Sequence, residues 1–123
     1  MYILSVPGRK SGQMRTNPVS LLTLNGHRYI VAGMIDADWV KNVRAARWCI
    51  IASGRKKERV ALTELPEAER APILRAFPKL VPGGVSLFKQ LYGLPADRAA
   101  LPDAFAALAP RTTVFQIGPL PDQ

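Results

Sequence analysis

Apolar positions along this chain fall into short runs of period two, separated by glycine, proline and asparagine. Tyr2-Ile3-Leu4-Ser5-Val6 is β-branched and aromatic and stops at Pro7-Gly8, which predicts a first strand. Residues 14–24 predict a second, interrupted at Asn17-Pro18, where a proline suits an edge or a bulge. Asn25-Gly26 then separates Leu21-Leu22-Thr23-Leu24 from Tyr29-Ile30-Val31-Ala32. Both central residues of a type I′ turn need positive φ, which Asn-Gly adopts at low cost, so an antiparallel hairpin is expected. Residues 48–53 read as a buried strand. Its partner, 59–65, lies across the basic loop Gly54-Arg55-Lys56-Lys57, with Val60, Leu62 and Glu64 on one face and Ala61, Thr63 and Leu65 on the other. Thr112-Thr113-Val114-Phe115-Gln116-Ile117 closes the series, and residues 118–123 read as a tail.

Elsewhere the period lengthens to that of a helix. Trp39, Val40, Val43 and Ala46 share one face of a short helix over 37–46, with Asp36 as N-cap and Asp38 in the positive first turn. Lys41, Asn42 and Arg44 lie elsewhere around it. Pro66 opens the next helix, with Glu67 and Glu69 in its first turn and Ile73, Leu74, Phe77 and Leu80 as its inward stripe. Pro78 and Pro82-Gly83-Gly84 are expected to end it. Residues 85–92 form a further helix stopped by Gly93, and 96–109 give turns broken at Pro102 and stopped at Pro110. Helices that are inserted between strands rather than alternating with them argue for a mainly β fold. The expectation is a small barrel of six antiparallel strands, one domain over 1–123, with a helical insertion at about 66–109.

Composition narrows the chemistry. A length of 123 residues suits one domain, and no apolar run approaches the roughly 20 residues that span a bilayer. The first residues lack the pattern of a secretory signal, so a cytoplasmic location is expected. One cysteine, Cys49 within Trp48-Cys49-Ile50-Ile51-Ala52, excludes an intrachain disulfide and reads as a core thiol. With one histidine, His27, beside the hairpin turn, a conventional zinc site is unsupported and no metal is expected. Neither a phosphate-loop nor a dinucleotide glycine fingerprint occurs.

Charge adds a direction. The net charge is +8, and residues 1–59 carry all of it: 11 Lys and Arg stand against Asp36, Asp38 and Glu58, while the remainder holds six of each sign. Such a field attracts polyanions. Its focus is Gly8-Arg9-Lys10-Ser11-Gly12-Gln13-Met14-Arg15-Thr16-Asn17-Pro18-Val19, where cations, hydroxyls and glycines precede an apolar strand. Arg offers bidentate permanent charge to phosphate or carboxylate, and Lys a mobile point charge. Glycines let backbone N–H groups approach an anion. A nucleic-acid-binding barrel is the rival reading, but aromatics interleaved with the cations are too few for a stacking platform, so no nucleic-acid partner is expected. The basic half could also touch anionic lipid peripherally, although no helix is both strongly basic and strongly apolar.

Gly-Arg-Lys-Ser-Gly-x-x-Arg-Thr-Asn-Pro, the Asn-Gly hairpin, and Asp-Trp-x-x-Asn-x-x-Ala-Ala together resemble the deazaflavin-dependent nitroreductase and quinone reductase family. The likeness runs on through Thr-Glu-Leu, the proline-rich helical stretch and Thr-Val-Phe-Gln-Ile. It implies the split β-barrel shared with flavin-mononucleotide-binding oxidoreductases. It also implies the coenzyme F-420, a hydride carrier with a phosphate and an oligoglutamate tail, with flavin mononucleotide (FMN) as the alternative cofactor. The resemblance assigns Arg9, Lys10 and Ser11 to the phosphate and tail. Arg15, Thr16, Asn17, Pro18, Val19 and Ser20 would lie along the strand beneath the cofactor. Ala32, Gly33, Met34 and Ile35 would approach the ring through backbone groups, and Asp38, Trp39, Val40, Lys41 and Asn42 would hold it from the helix start. The activity implied is hydride transfer to a small organic acceptor: a quinone, a nitro compound or an activated alkene. No catalytic side chain is required, because the coenzyme carries the chemistry. The segment Gly33-Met34-Ile35-Asp36-Ala37 is shorter than in many members, with Met34 at a usual serine position and Val40 at a usual tyrosine. Split barrels often pair, so a homodimer is compatible with the resemblance.

Overall fold

The strands form where the period-two runs lie: β1 (Tyr2–Pro7), β2 (Met14–Leu24), β3 (His27–Ala32), β4 (Trp48–Ser53), β5 (Lys56–Glu64) and β6 (Thr113–Gly118). In the computed structural model, which describes residues 2–120, they close an antiparallel barrel in the order β1-β2-β3-β6-β5-β4. Four helices accompany them: α1 (Asp38–Ala46), α2 (Glu67–Leu80), α3 (Val85–Tyr92) and α4 (Leu101–Ala106). The expected helical insertion thus lies between β5 and β6.

Strand alternation builds two cores. Leu4, Val6, Ile30, Cys49, Ile51, Val60, Leu62 and Phe115 fill the barrel, and Val40 and Val43 of α1 close over them. The opposite face of β2, β3 and β6 presents Leu22, Val31 and Val114 to a second core with Ile73, Leu74, Phe77, Phe88, Leu101 and Phe105. The rings of Phe77, Phe88 and Phe105 lie 5.1–5.4 Å apart.

β2 is longer than either neighbour, and it changes partner along its length. Met14 to Val19 pair with β1, and Ser20 to Leu24 pair with β3. The first half therefore has one bonded edge and one free edge. Pro18 lies there, opposite Ile3, inside an unbroken strand. The expected interruption is absent because a free edge makes no ladder bond that a proline would forfeit.

Asn25 and Gly26 take φ of 53° and 80°, as the hairpin requires. β5 begins at Lys56, earlier than expected, because the β4–β5 turn is only Gly54-Arg55, with Gly54 at φ 60°. α1 starts after Ala37 with no side-chain cap, so Asp36 is not its N-cap. α2 runs through Pro72 and Pro78 instead of ending at the latter. Burial of Ile73, Leu74 and Phe77 offsets the roughly 3 kcal/mol that an interior proline costs. Leu80 is exposed, not part of the inward stripe. Pro102 occupies the first turn of α4, where no N–H is needed, and does not break it. The last three residues of the expected tail, 121–123, lie outside the described residues.

Glu64, at the end of β5, ties these layers together. Its carboxylate accepts two hydrogen bonds from Arg44 at 2.9 Å and one from the Thr113 hydroxyl at 2.6 Å, with Arg70 at 3.7 Å. Arg70 in turn donates to the carbonyls of Leu65, Ala109 and Thr112. The Arg44 hydrogen bond, then the Thr113 hydroxyl and the two guanidinium charges, hold the Glu64 carboxyl below its ordinary value against partial desolvation. A depressed carboxyl stabilises the fold above its ordinary value of 4.5, and that contribution fades as pH falls through the folded value. Glu64→Gln is expected to cost about 1–3 kcal/mol at neutral pH and to flatten the loss of stability below about pH 4.5, read from denaturant unfolding across pH.

Candidate functional site

The β1–β2 loop is closed by its own backbone. The Gly8 N–H donates to the Gln13 carbonyl and the Gly12 N–H to the Gly8 carbonyl, both at 2.8 Å. Ser11 Oγ accepts the Gln13 N–H at 3.2 Å. Gly12 sits at φ 75°, and a Cβ at Gly8 would stand 3.1 Å from Ser11 Oγ and 3.3 Å from the Gln13 carbonyl, so both glycines are needed for the turn.

Arg9 then clips the loop to α1. Its backbone N–H and its guanidinium Nη1 donate to the same atom, Asn42 Oδ1, at 3.1 and 2.8 Å. Nη1 also reaches the Asp38 carbonyl at 3.4 Å, and Nη2 the Asp38 carboxylate at 3.5 Å. Asn42 is 6 % exposed, and the Arg9 side chain is 28 % exposed. Helical spacing sets this up: Val40 and Val43 enter the barrel, which turns Trp39 and Asn42 toward the loop.

Two cavities adjoin along the free edge of β2. One, about 720 Å³, is lined by Gly8, Arg9, Lys10, Ser11, Met14, Arg15, Thr16, Asn17, Asp38, Trp39 and Asn42. The other, about 520 Å³, is largely apolar and is bounded by Pro18, Val19, Ser20, Leu21 and Val31, by Gly33 and Trp39, and by Val81, Gly84, Leu87 and Phe88, with Tyr2 at its edge. Trp39 belongs to both, half-buried and 6.1 Å from the Phe115 ring. The pair forms one trough, cationic at one end and apolar at the other. Among the described residues Lys10 and Arg15 make no ion pair, whereas Arg9 is shared with Asp38.

The expected site residues divide accordingly. Arg9, Lys10, Ser11, Arg15, Thr16, Asn17, Asp38, Trp39 and Asn42 meet at the cationic end; Pro18, Val19, Ser20 and Gly33 line the apolar end. Ala32 and Val40 are buried in the barrel core, and Lys41 is exposed and lines neither cavity. Met34 and Ile35 border a separate hollow of about 450 Å³ with Leu91, Tyr92 and Arg111. The Tyr92 hydroxyl donates to the Gly33 carbonyl, and the Arg111 guanidinium stacks on that ring at 4.5 Å. Burial raises the Tyr92 phenol, with the Arg111 charge opposing it.

Sequence reasoning missed the far wall, where the α2–α3 corner meets β2. Its signal was Gly83-Gly84. A Cβ at Gly84 would stand 2.8 Å from Phe77 and 3.2 Å from Ser20 Oγ, so the corner approaches β2 only as glycine. Cys49 faces the barrel core, where burial pushes its thiol up to about 12, far from nucleophilic use. No group of three or more metal-ligating side chains occurs among the described residues.

A family model described as F420H(2)-dependent quinone reductase matches residues 1–86. No curated protein matches the chain. Among solved structures, an F420-H2 dependent reductase is 20 % identical, with 94 % of this chain and 91 % of that one covered, at a TM-score of 0.60. One described as a domain-swapped dimer is also 20 % identical, over 94 % and 78 %, at 0.61. A NimC/NimA family protein from Clostridium acetobutylicum is 14 % identical, over 94 % and 71 %, at 0.59. All three share the fold.

The clip separates structural from ligand-facing residues in the loop. Asn42→Ala strands two Arg9 donors and is expected to cost about 1–3 kcal/mol. Lys10→Ala is expected to change stability by under about 0.5 kcal/mol, measured by the same denaturant titration.

Proposed function

Because the chain belongs to the F420H(2)-dependent quinone reductase family, we propose that the trough along β2 holds the deazaflavin coenzyme F420, its anionic tail at the loop end and its ring beside Trp39. When bound, that coenzyme supplies two-electron hydride chemistry. The observation that carries the placement is the junction at Trp39 of a cation-lined cavity with an apolar one. The residues fit such a molecule. Lys10 and Arg15 bring uncompensated charge, and Ser11, Thr16 and Asn17 bring hydrogen-bonding groups. Arg9 is pre-oriented by Asn42 and adds the third cation.

At the other end Pro18, Val19 and Ser20 form a floor, and Trp39 forms a wall anchored by Val40 in the core. Gly33, just past the end of β3, lines the apolar cavity and would approach the ring through its backbone, with Ala32 behind it in the core and Met34 and Ile35 turned to the separate hollow; Lys41 would add charge nearby. The acceptor is a small organic molecule such as a quinone, a nitro compound or an activated alkene. It would share the apolar cavity, where Tyr2 and Ser20 are the hydroxyls able to orient an acceptor oxygen. Val81, Leu87 and Phe88 exclude water from that side.

The reading includes a cytoplasmic enzyme, a homodimer, and peripheral contact with a membrane from which an apolar acceptor could be drawn. No helix among the described residues is long and apolar enough to cross a membrane. FMN is the second cofactor reading, since the same trough offers one phosphate subsite and an apolar ring site.

Absorbance titration tests the choice. F420 is expected to bind at micromolar level or better, and Lys10→Ala and Arg15→Ala are each expected to weaken it about tenfold, about 1.4 kcal/mol. Tight FMN binding without F420 binding would replace the first reading by the second.

A further inference from the structure

The outer face of β1, β4 and β5 is not accounted for by the trough. Leu4, Val6, Cys49, Ile51, Val60 and Leu62 point into the barrel, so their neighbours face outward. Register aligns these into rows across four strands. One row runs Pro18, Ile3, Ala52, Lys57; the next runs Thr16, Ser5, Ile50, Arg59; Trp48 and Ala61 pair in the row after. None of these residues is acidic.

The helices bury their apolar faces elsewhere, α1 on the barrel interior and α2 to α4 over β2, β3 and β6. Ile3 is left 38 % exposed, and Ile50, Ala52 and Trp48 are half-covered. The hairpin end of this face carries Lys57 and Arg59, with Arg55 in the turn, while Lys56 alternates to the other side with Glu58; all four cations are exposed, and none makes an ion pair among the described residues. The acid of that segment, Glu58, is bound to Arg28 at 2.7 Å.

We propose that this face docks on an anionic membrane surface, the hairpin cations against lipid headgroups and the Ile3 and Ile50 patch at the interface. An apolar centre with a cationic end matches such a surface. A second copy on a two-fold axis running through the hairpin end would set like charges against each other. Single-stranded nucleic acid would need an open ring to stack on, and the Arg59 guanidinium lies 4.4 Å over Trp48. The row through Pro18 joins the face to the apolar cavity, so docking would bring the trough to a lipid-soluble acceptor. That last link rests on the proposed function; the docking itself does not.

Vesicle co-sedimentation of the full chain, with no cofactor present, tests the docking. The protein is expected to pellet with phosphatidylcholine vesicles containing about one-third phosphatidylglycerol and to stay in solution with phosphatidylcholine alone at about 0.1 M salt. Each cation at such a surface is worth about fivefold in partitioning, so Arg55→Glu with Lys57→Glu, both exposed, should reduce binding by at least about tenfold. Ile3→Ser should weaken it further. Equal partition onto both vesicle types overturns the proposal. So does a loss from Lys10→Glu as large as that from the hairpin pair. A dimer in sedimentation velocity that the hairpin pair dissociates would assign the face to a second copy. Tighter binding to a single-stranded oligonucleotide than to vesicles would assign it to nucleic acid. Either result also overturns the proposal. Since the assay contains no coenzyme, a failed F420 titration leaves it standing, and its own failure leaves the coenzyme reading intact.

Discussion

The candidate site depends on one geometric constraint: β2 is 11 residues long, while β1 and β3 are six each. Neither neighbour can satisfy the whole strand. It pairs with one over its first half and the other over its second, which leaves a free edge beside Met14 to Val19. Unpaired backbone groups at such an edge must find water or a ligand. The trough lies along this edge, so residues of both strand faces can line it. Thr16 and Pro18 share one face of β2 with Asn17 and Val19 on the other, yet all four border the cavities. An ordinary paired strand would offer a cavity one face only.

α1 converts that edge into a walled site. Its consecutive turns serve three surfaces. Val40 and Val43 close the barrel, Trp39 divides the trough, and Asn42 receives the loop. Binding two Arg9 donors on one buried oxygen fixes both the loop backbone and a guanidinium before any ligand arrives. The preorganisation reduces the ordering cost of binding. It also changes what Arg9 is: a cation built into the frame, while Lys10 and Arg15 remain the mobile contributors.

Local signals in the sequence carried much of this. Asn25-Gly26 specified its hairpin because two positive φ angles admit few residue pairs. Alternation located the six strands, and the glycine-bounded basic loop located the cationic end. The misreadings share a cause: tertiary partners distant in sequence. Pro78 reads as a stop, but Phe77 is held between Phe88 and Phe105, and that packing keeps the turn helical. Asn42 lies off the apolar stripe and is assigned to the site only by resemblance; its bond to the loop is illegible because the partner is 33 positions away. Leu80 reads as core by period, although the chain turns away at Pro82 before its side can be covered. The far wall of the apolar cavity was illegible for the same reason. Gly84 declares a close approach but not which strand is approached.

Burial and pairing also show where the positive excess is available. Arg28 and Arg44 are bound bidentately by Glu58 and Glu64, and Arg9 is shared with Asp38. Among the described residues, two groups of cations without an ion pair lie on either side of β1: Lys10 and Arg15 at the start of β2, and the four cations of the β4–β5 hairpin. The first pair borders the trough, where a bound anion would cover it and salt would screen the contact less. The hairpin group stands in water, where its field is screened within a Debye length and can act only on a surface brought close. A single soluble ligand in the trough would use the first group and leave the larger one idle. The arrangement fits the two anionic counterparts proposed above, one small, the other extended.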